Sequence, residues 1–361
     1  MILPAHIDPK RMLRWVLQGV ALGGIATVGV FFFTVQPDTW TQLRAFNPAW
    51  LPVLVGLISL AWLCNGARVW VLCRALGHRV TYRQAVAVTM SQEFGIAVTP
   101  AGLGSAVLRF TLLARAGVPV AQSASMLTTD AALDMLFFAL LTPFGCAVVL
   151  HDPAFGGLLA RIGPRPPLAP LLGGLAALVA LVVLLRSASF QRQLARLAGA
   201  TSFGRRRRLP GRHRYLRIRT ARVLRRMREA LALLWGRRKS ALLVNFLCAA
   251  AQWTCRYSLL PVVLFALGVP LNPLPLFLVQ GLLFMLSMLV VAPGGGGAVE
   301  VLAAVILPAF VPLSLVGLAV LLWRMFTYHA YIIVGGTVFF LTFRHLDRLF
   351  PQVSPSPPAK P

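Results

Sequence analysis

Val291-Ala292-Pro293-Gly294-Gly295-Gly296-Gly297-Ala298-Val299-Glu300 breaks a long apolar region with a proline and four glycines. A similar break stands earlier, in Val98-Thr99-Pro100-Ala101-Gly102-Leu103-Gly104-Ser105. Pro100, Gly102 and Gly104 match Pro293, Gly295 and Gly297 at an offset of 193, which also carries Val118-Pro119 onto Val311-Pro312. Upstream, with a two-residue gap, Ala75-Leu76-Gly77 recurs as Ala266-Leu267-Gly268. The chain reads as two copies of one unit, each interrupted in its middle. Paired interruptions in two hydrophobic halves point to the binding site of a membrane transporter.

The composition agrees. Of 361 residues, 58% are hydrophobic and 12% charged; soluble domains carry about 25% charged residues. Long, nearly uncharged runs imply an all-α polytopic membrane protein. The net charge of +26 reads as cytoplasmic loops beside anionic lipid, not as a nucleic-acid footprint. Cys64, Cys73, Cys146, Cys248 and Cys255 lie in apolar runs without a Cys-x-x-Cys pair. They read as packing residues, with no metal or cofactor implied.

Charge bias and the parity of crossings set the expected topology. Lys10, Arg11 and Arg14 precede a first helix over Trp15–Val35, so the N-terminus is cytoplasmic. The second helix, 50–76, returns inward, with Arg68, Arg74, His78, Arg79 and Arg83 marking its cytoplasmic end. Pieces 84–98 and 103–116 are each too short to span untilted, and read as a re-entrant pair. Helix 120–150 goes outward, His151–Pro170 is an outer loop, and helix 171–185 returns. In the second copy helix 241–267 goes outward and Gly268–Pro275 is an outer turn. Pieces 276–292 and 298–310 form a second re-entrant pair, and helix 313–343 returns inward. The result is an inverted repeat with six full crossings and both termini cytoplasmic.

The corresponding divisions are 1–48, N-terminal helix and outer loop; 49–150, first repeat unit; 151–185, connecting helix; 186–239, basic loop; 240–343, second unit; and 344–361, tail. Residues 186–239 hold 18 of the 35 Lys and Arg and a single acid, Glu229. Within them Leu216, Val223, Leu224, Met227, Leu231 and Leu234 recur at helical spacing among arginines, as in an amphipathic helix on the inner leaflet.

Ionisable residues inside membrane segments are costly and are functional candidates by default. Here they are Glu93, Arg109, Asp130, Asp134, Arg256, Glu300 and Arg324. Asp130 and Asp134 share a helix face. Glu300 with Arg324, and Arg109 with Asp130 or Asp134, are expected to pair. The alternative is a lattice that merely pins the helices, because pairing satisfies charges without implying transport. After each break a short helix begins, near Leu103 and Ala298, and its free N–H groups favour an anion. The glycine run also superficially suits a dinucleotide loop, but membrane flanks and the lack of βαβ alternation exclude it.

Pro293, Gly294, Gly295, Gly297 and Glu300, followed by an apolar helix with Arg324 and Tyr328, resemble the lysylphosphatidylglycerol synthase transmembrane (flippase-like) family. In the first unit Arg109 and Asp134 match that family's other block. Ser105 and Thr129-Asp130 stand where the family usually has glutamate and Glu-Arg. The resemblance covers most of residues 50–343. It implies a lipid-flipping fold with Arg109, Asp134, Pro293, Gly294, Gly295, Gly297, Glu300, Arg324 and Tyr328 at its substrate site, to which the paired breaks and the interior charges add Pro100, Gly102, Gly104 and Asp130. Only 18 residues follow Phe343, too few for the soluble aminoacyl-transferase part of the two-part synthases, so no lysyl-lipid synthesis is expected.

The function expected is therefore not enzymatic. It is movement of an anionic phospholipid or polyprenyl-phosphate-linked lipid between the leaflets of a bacterial plasma membrane. Membrane lipids are the expected partners and nucleic acid is not. The alternative is a non-transporting scaffold, or an accessory subunit of a lipid or cell-envelope enzyme.

Overall fold

The computed structural model describes residues 39–99, 102–151, 210–270, 272–277, 280–281 and 297–345, with isolated positions at 25, 28, 29, 32 and 349. Most of the expected first helix, the segment 152–209, most of piece 276–292 and the tail 351–361 lie outside the described residues. So do Pro100, Pro293, Gly294 and Gly295. The chain divides into two compact units. Residues 1–150 and 223–361 make the first, which contains both halves of the expected repeat. Of the second, residues 151–222, the last part is helical from Pro210.

Every regular element among the described residues is helical. The helices are α1 (Thr39–Arg44), α2 (Leu51–Ala75), α3 (Tyr82–Val98), α4 (Leu103–Arg115), α5 (Val120–His151), α6 (Pro210–Arg237), α7 (Lys239–Ala266), α8 (Ala298–Ile306) and α9 (Leu313–Arg344). Pro48–Ala75, Val120–Leu141 and Leu313–Arg344 are long and apolar enough to cross a bilayer. Around an apolar core, the outer surface is unlike that of a water-soluble fold. Leu51, Val55, Leu60 and Leu63 of α2 and Leu243 and Leu247 of α7 face outward, while Arg68 and Asn245 on the same helices are buried. Lipid against the apolar face and protein against the charge make that arrangement stable.

Local signals account for the boundaries. Thr81 opens α3 with a capping box: the Gln84 N–H donates to Thr81 Oγ1, and the Thr81 N–H donates to Gln84 Oε1 at 2.8 Å. Helices α2 and α7 end alike. Gly77 and Gly268 take positive φ of 85° and 75°, which a residue with a Cβ rarely adopts. The next residue then bonds back across the turn, His78 to the Cys73 carbonyl and Val269 to the Leu264 carbonyl. The recurring Ala-Leu-Gly is thus one helix-ending device used twice.

These two helices also form the most extensive pairing in the first unit. The Asn47 N–H, just ahead of α2, donates to the Ala266 carbonyl at the end of α7, at 2.8 Å. Trp50 stacks on Phe265, and further along Arg68 meets Asn245 and Gln252. Early residues of α2 meet late residues of α7, so the pair is antiparallel.

Helices α3 and α4 pack on each other around the first break. A Cβ added to Gly95 would stand 2.8 Å from the Gly104 carbonyl carbon, and one added to Gly104 would stand 2.7 Å from Thr99 Cγ2. Two backbones this close leave no space for a methyl. Gly95→Ala is expected to push α3 and α4 apart and to destabilise the fold by about 1–3 kcal/mol. A thermal melt in detergent measures it, and a variant melting with the parent would show that the hairpin relaxes freely.

Helix α6 covers the segment expected to be amphipathic, and its apolar positions differ in what covers them. Leu234 is fully buried in the core with Val69, Leu72, Leu112, Leu113 and Met126, so protein, not lipid, covers the end of the apolar stripe. Val223 is exposed, as are Leu233 and Trp235. Only Arg238 separates α6 from α7, which holds the last turns of α6 against the bundle.

Candidate functional site

At the first break the start of α4 is fixed by a glycine and a threonine. Gly102 takes φ +65° immediately before α4. Thr99 donates its hydroxyl to the Gly95 carbonyl at 2.6 Å and accepts the Gly104 N–H at 2.8 Å. One side chain thus ties the end of α3 to the first turn of α4. At the second break Gly297 takes φ +86° ahead of α8, and its N–H donates to Glu300 Oε2 at 2.8 Å. Gly104 and Gly297 correspond at the 193-residue offset. Both N–H groups are capped by a side-chain oxygen, from a neutral hydroxyl in one unit and a carboxylate in the other. The expectation of two open anion-binding helix starts is therefore modified, because each already holds an oxygen of its own chain.

Glu300 is fully buried, and its other oxygen accepts from Arg324 Nε at 2.7 Å. The Arg324 guanidinium lies 4.6 Å above the Tyr328 ring, which adds cation–π attraction. Arg324 ends the regular first part of α9, which then runs through two π-helical stretches, Met325–His329 and Tyr331–Gly335. Such widened turns are frequent at functional sites. They set Tyr328 and Tyr331 on the buried side of α9. Glu300, Arg324 and Tyr328 are thereby brought together, with Gly297 beside them.

A second polar network joins α2, α3, α4, α5 and α7. Arg109 Nη2 bonds Asp130 Oδ2 at 2.7 Å, which settles its partner in favour of Asp130. Asp134, one turn on, pairs with Arg68 at 2.9 Å and accepts the Trp253 indole N–H at 3.0 Å. Arg68 is the hub. Its Nε donates to Asn245, its Nη1 to Gln252 and its Nη2 to the Asp130 carbonyl, while Asp130 Oδ1 lies at 3.5 Å. Asn245 donates in turn to Asp130 Oδ1 at 3.0 Å. Glu93 accepts from Asn65 at 2.9 Å and from Arg256, and the Arg256 guanidinium lies 5.5 Å from Trp253 and 5.4 Å from Tyr331.

Arg68 is the correction that matters most. The sequence reading places it with the basic residues at the cytoplasmic end of its helix. In the structure it is buried seven residues before the end of α2 and holds two aspartates. Helical spacing was the available signal: seven residues at about 1.5 Å each carry it roughly 10 Å into the bundle. Asn65, Asn245, Gln252 and Trp253 were also missed. Neutral polar residues in an apolar run look unremarkable until an ion pair is seen to need them.

The described residues thus define a helical integral membrane protein with ion pairs built into its interior and glycine breaks at the ends of short helices. The model of the lysylphosphatidylglycerol synthase TM region matches residues 16–335, and the chain belongs to that family. It is also 27% identical over 320 residues to a "UPF0104 membrane protein" of Archaeoglobus fulgidus, covering 88% of this chain and 94% of that one.

Proposed function

We propose that this protein is a flippase-like transporter that moves a phosphate-bearing lipid between leaflets. The headgroup passes beside the Gly102–Gly104 and Gly297–Glu300 breaks, and Arg109 and Arg324 supply the cations that meet it. The observation that carries this reading is the Glu300–Arg324 pair locked onto the second break. A buried ion pair fastened to a helix start is a device with two arrangements, closed on itself or opened around a headgroup. Asp130, Asp134 and Tyr328 belong to the same interior. An anionic phospholipid and a polyprenyl-phosphate-linked lipid are the substrates in view.

The inverted repeat, its two re-entrant pairs and the division into units 49–150 and 240–343 belong to this proposal. Supporting it, α2 and α7 carry the same helix-ending device and run antiparallel, as inversion requires. Single cysteines at positions 205 and 160 test the topology in a cysteine-free background. Labelling of 205 from the cytoplasmic side and of 160 from outside is expected, and the reverse pattern would overturn the inversion. We place the protein in the plasma membrane with both termini cytoplasmic.

The arginine face of α6 (Arg225, Arg226, Arg228) then lies against anionic headgroups of the inner leaflet. Slower amide exchange across α6 in anionic than in zwitterionic nanodiscs, lost at high salt, is the expected sign; equal exchange in both would count against it.

Mutual pairing of the described interior charges also suits a rigid scaffold or an accessory subunit. Native mass spectrometry of the purified protein separates the readings. Retained phosphate-bearing lipid that Arg324→Ala abolishes supports transport; lipid retention unaffected by that change favours the scaffold.

A further inference from the structure

The seven ionisable residues recognised from the sequence inside apolar segments are four acids and three arginines, a net negative set. Arg68 changes that sum. Once it is placed inside, Glu93, Asp130, Asp134 and Glu300 are matched by Arg68, Arg109, Arg256 and Arg324, and every one of these acids has a guanidinium within 4 Å. Among the described residues the interior charge is balanced one for one.

We propose that what enters this interior is electrically neutral as a unit: a phosphate headgroup together with one balancing positive charge. The inference rests on the lipid-movement reading above. A phosphate monoanion arriving alone would compete with a carboxylate for its arginine and leave a net negative charge where water is scarce, which is costly. A positive charge arriving with it removes that cost. The phosphate takes guanidinium N–H groups, and the positive charge faces the neighbouring carboxylate. The donors for such an exchange are present. Among the described residues, Arg324 Nη2, Arg109 Nε and Arg256 Nε are buried N–H groups with no hydrogen-bond partner, so each is a donor that an entering phosphate oxygen could satisfy. The balancing charge has two sources, an ammonium on the headgroup itself or a proton carried with an anionic headgroup.

The test uses the full-length protein in vesicles, with acyl-labelled phosphatidylethanolamine as the zwitterionic probe and acyl-labelled phosphatidylglycerol as the anionic one. The membrane potential is clamped and a pH dye is enclosed. A net charge crossing 100 mV would bias the distribution about fifty-fold. The expected result is movement indifferent to potential, either of the zwitterionic probe or of the anionic probe with matching proton entry. The proton signal separates the two sources. Movement of the anionic probe that follows the potential without proton entry would overturn neutrality while leaving lipid transport intact. No movement of either probe would overturn this inference for glycerophospholipids and leave the transport reading to a polyprenyl-phosphate-linked lipid alone.

Charge variants supply an independent arm. Arg68→Gln makes the interior net negative and is expected to slow the moving probe roughly tenfold or more. Arg68→Gln with Asp134→Asn restores balance and is expected to recover most of that loss. A folded double variant as slow as the single one would overturn the proposal.

Discussion

Arg68→Ala is expected to cost this protein a large part of its stability. The guanidinium is buried and engages Asn245, Gln252, the Asp130 carbonyl and both Asp130 and Asp134. Its removal takes away the cation that Asp134 pairs with and weakens the network by which Arg68 ties α2 to α5 and α7. Breaking a buried pair from one side costs about 3–5 kcal/mol, because the surviving charge has lost its compensation. Arg68→Lys should fall between: the charge remains, but a single ammonium cannot span acceptors arranged for a planar fork. Side-by-side thermal unfolding in detergent measures both. If Arg68→Ala unfolded with the parent, the hub role given to this residue would be wrong.

The second large effect is expected at the Glu300–Arg324 pair, where stability and transport should separate. Arg324→Ala removes the cation from a fully buried carboxylate, at a cost of about 3–5 kcal/mol, and should abolish transport. Glu300→Gln is milder on the fold. The amide oxygen still accepts the Gly297 N–H that Glu300 Oε2 holds at 2.8 Å, and Arg324 keeps the Tyr328 ring beneath it. Transport should nevertheless fall, because the carboxylate that opens and recloses on Arg324 is gone. A Glu300→Gln protein as active as the parent would reduce the pair to a structural clamp.

The two pairs were legible in the sequence to different degrees. Glu300 and Arg324 stand in long apolar surroundings beside a Pro-Gly break, so each announces an expense that the other offsets. Asp130 and Asp134, one helical turn apart, were equally visible as a pair on one face. Their distribution between Arg109 and Arg68 was not, because which of two arginines meets which of two aspartates depends on how α2 and α4 dock against α5. Arg68 was hidden by its neighbourhood. Arg74, His78, Arg79 and Arg83 follow it, and a charge-bias reading groups them all at the membrane face. Thr99 and Glu300 as caps on equivalent glycines were also beyond reach, since the spacing from cap to glycine differs between the units. Boundaries came through well where Gly77, Gly268 and Thr81 mark them, as helix-ending and helix-starting chemistry is local.

Lipid translocation by the purified protein in proteoliposomes is the most direct test. Acyl-labelled lipids with a range of phosphate headgroups are placed in the inner leaflet, and their appearance outside is followed by chemical quenching. At least one phosphate-bearing lipid is expected to cross faster than in protein-free vesicles, with Arg324→Ala slowing it to the protein-free rate and Glu300→Gln slowing it while the protein stays folded. A folded parent protein that moves no lipid in the panel faster than empty vesicles would contradict the transporter reading and leave a scaffold.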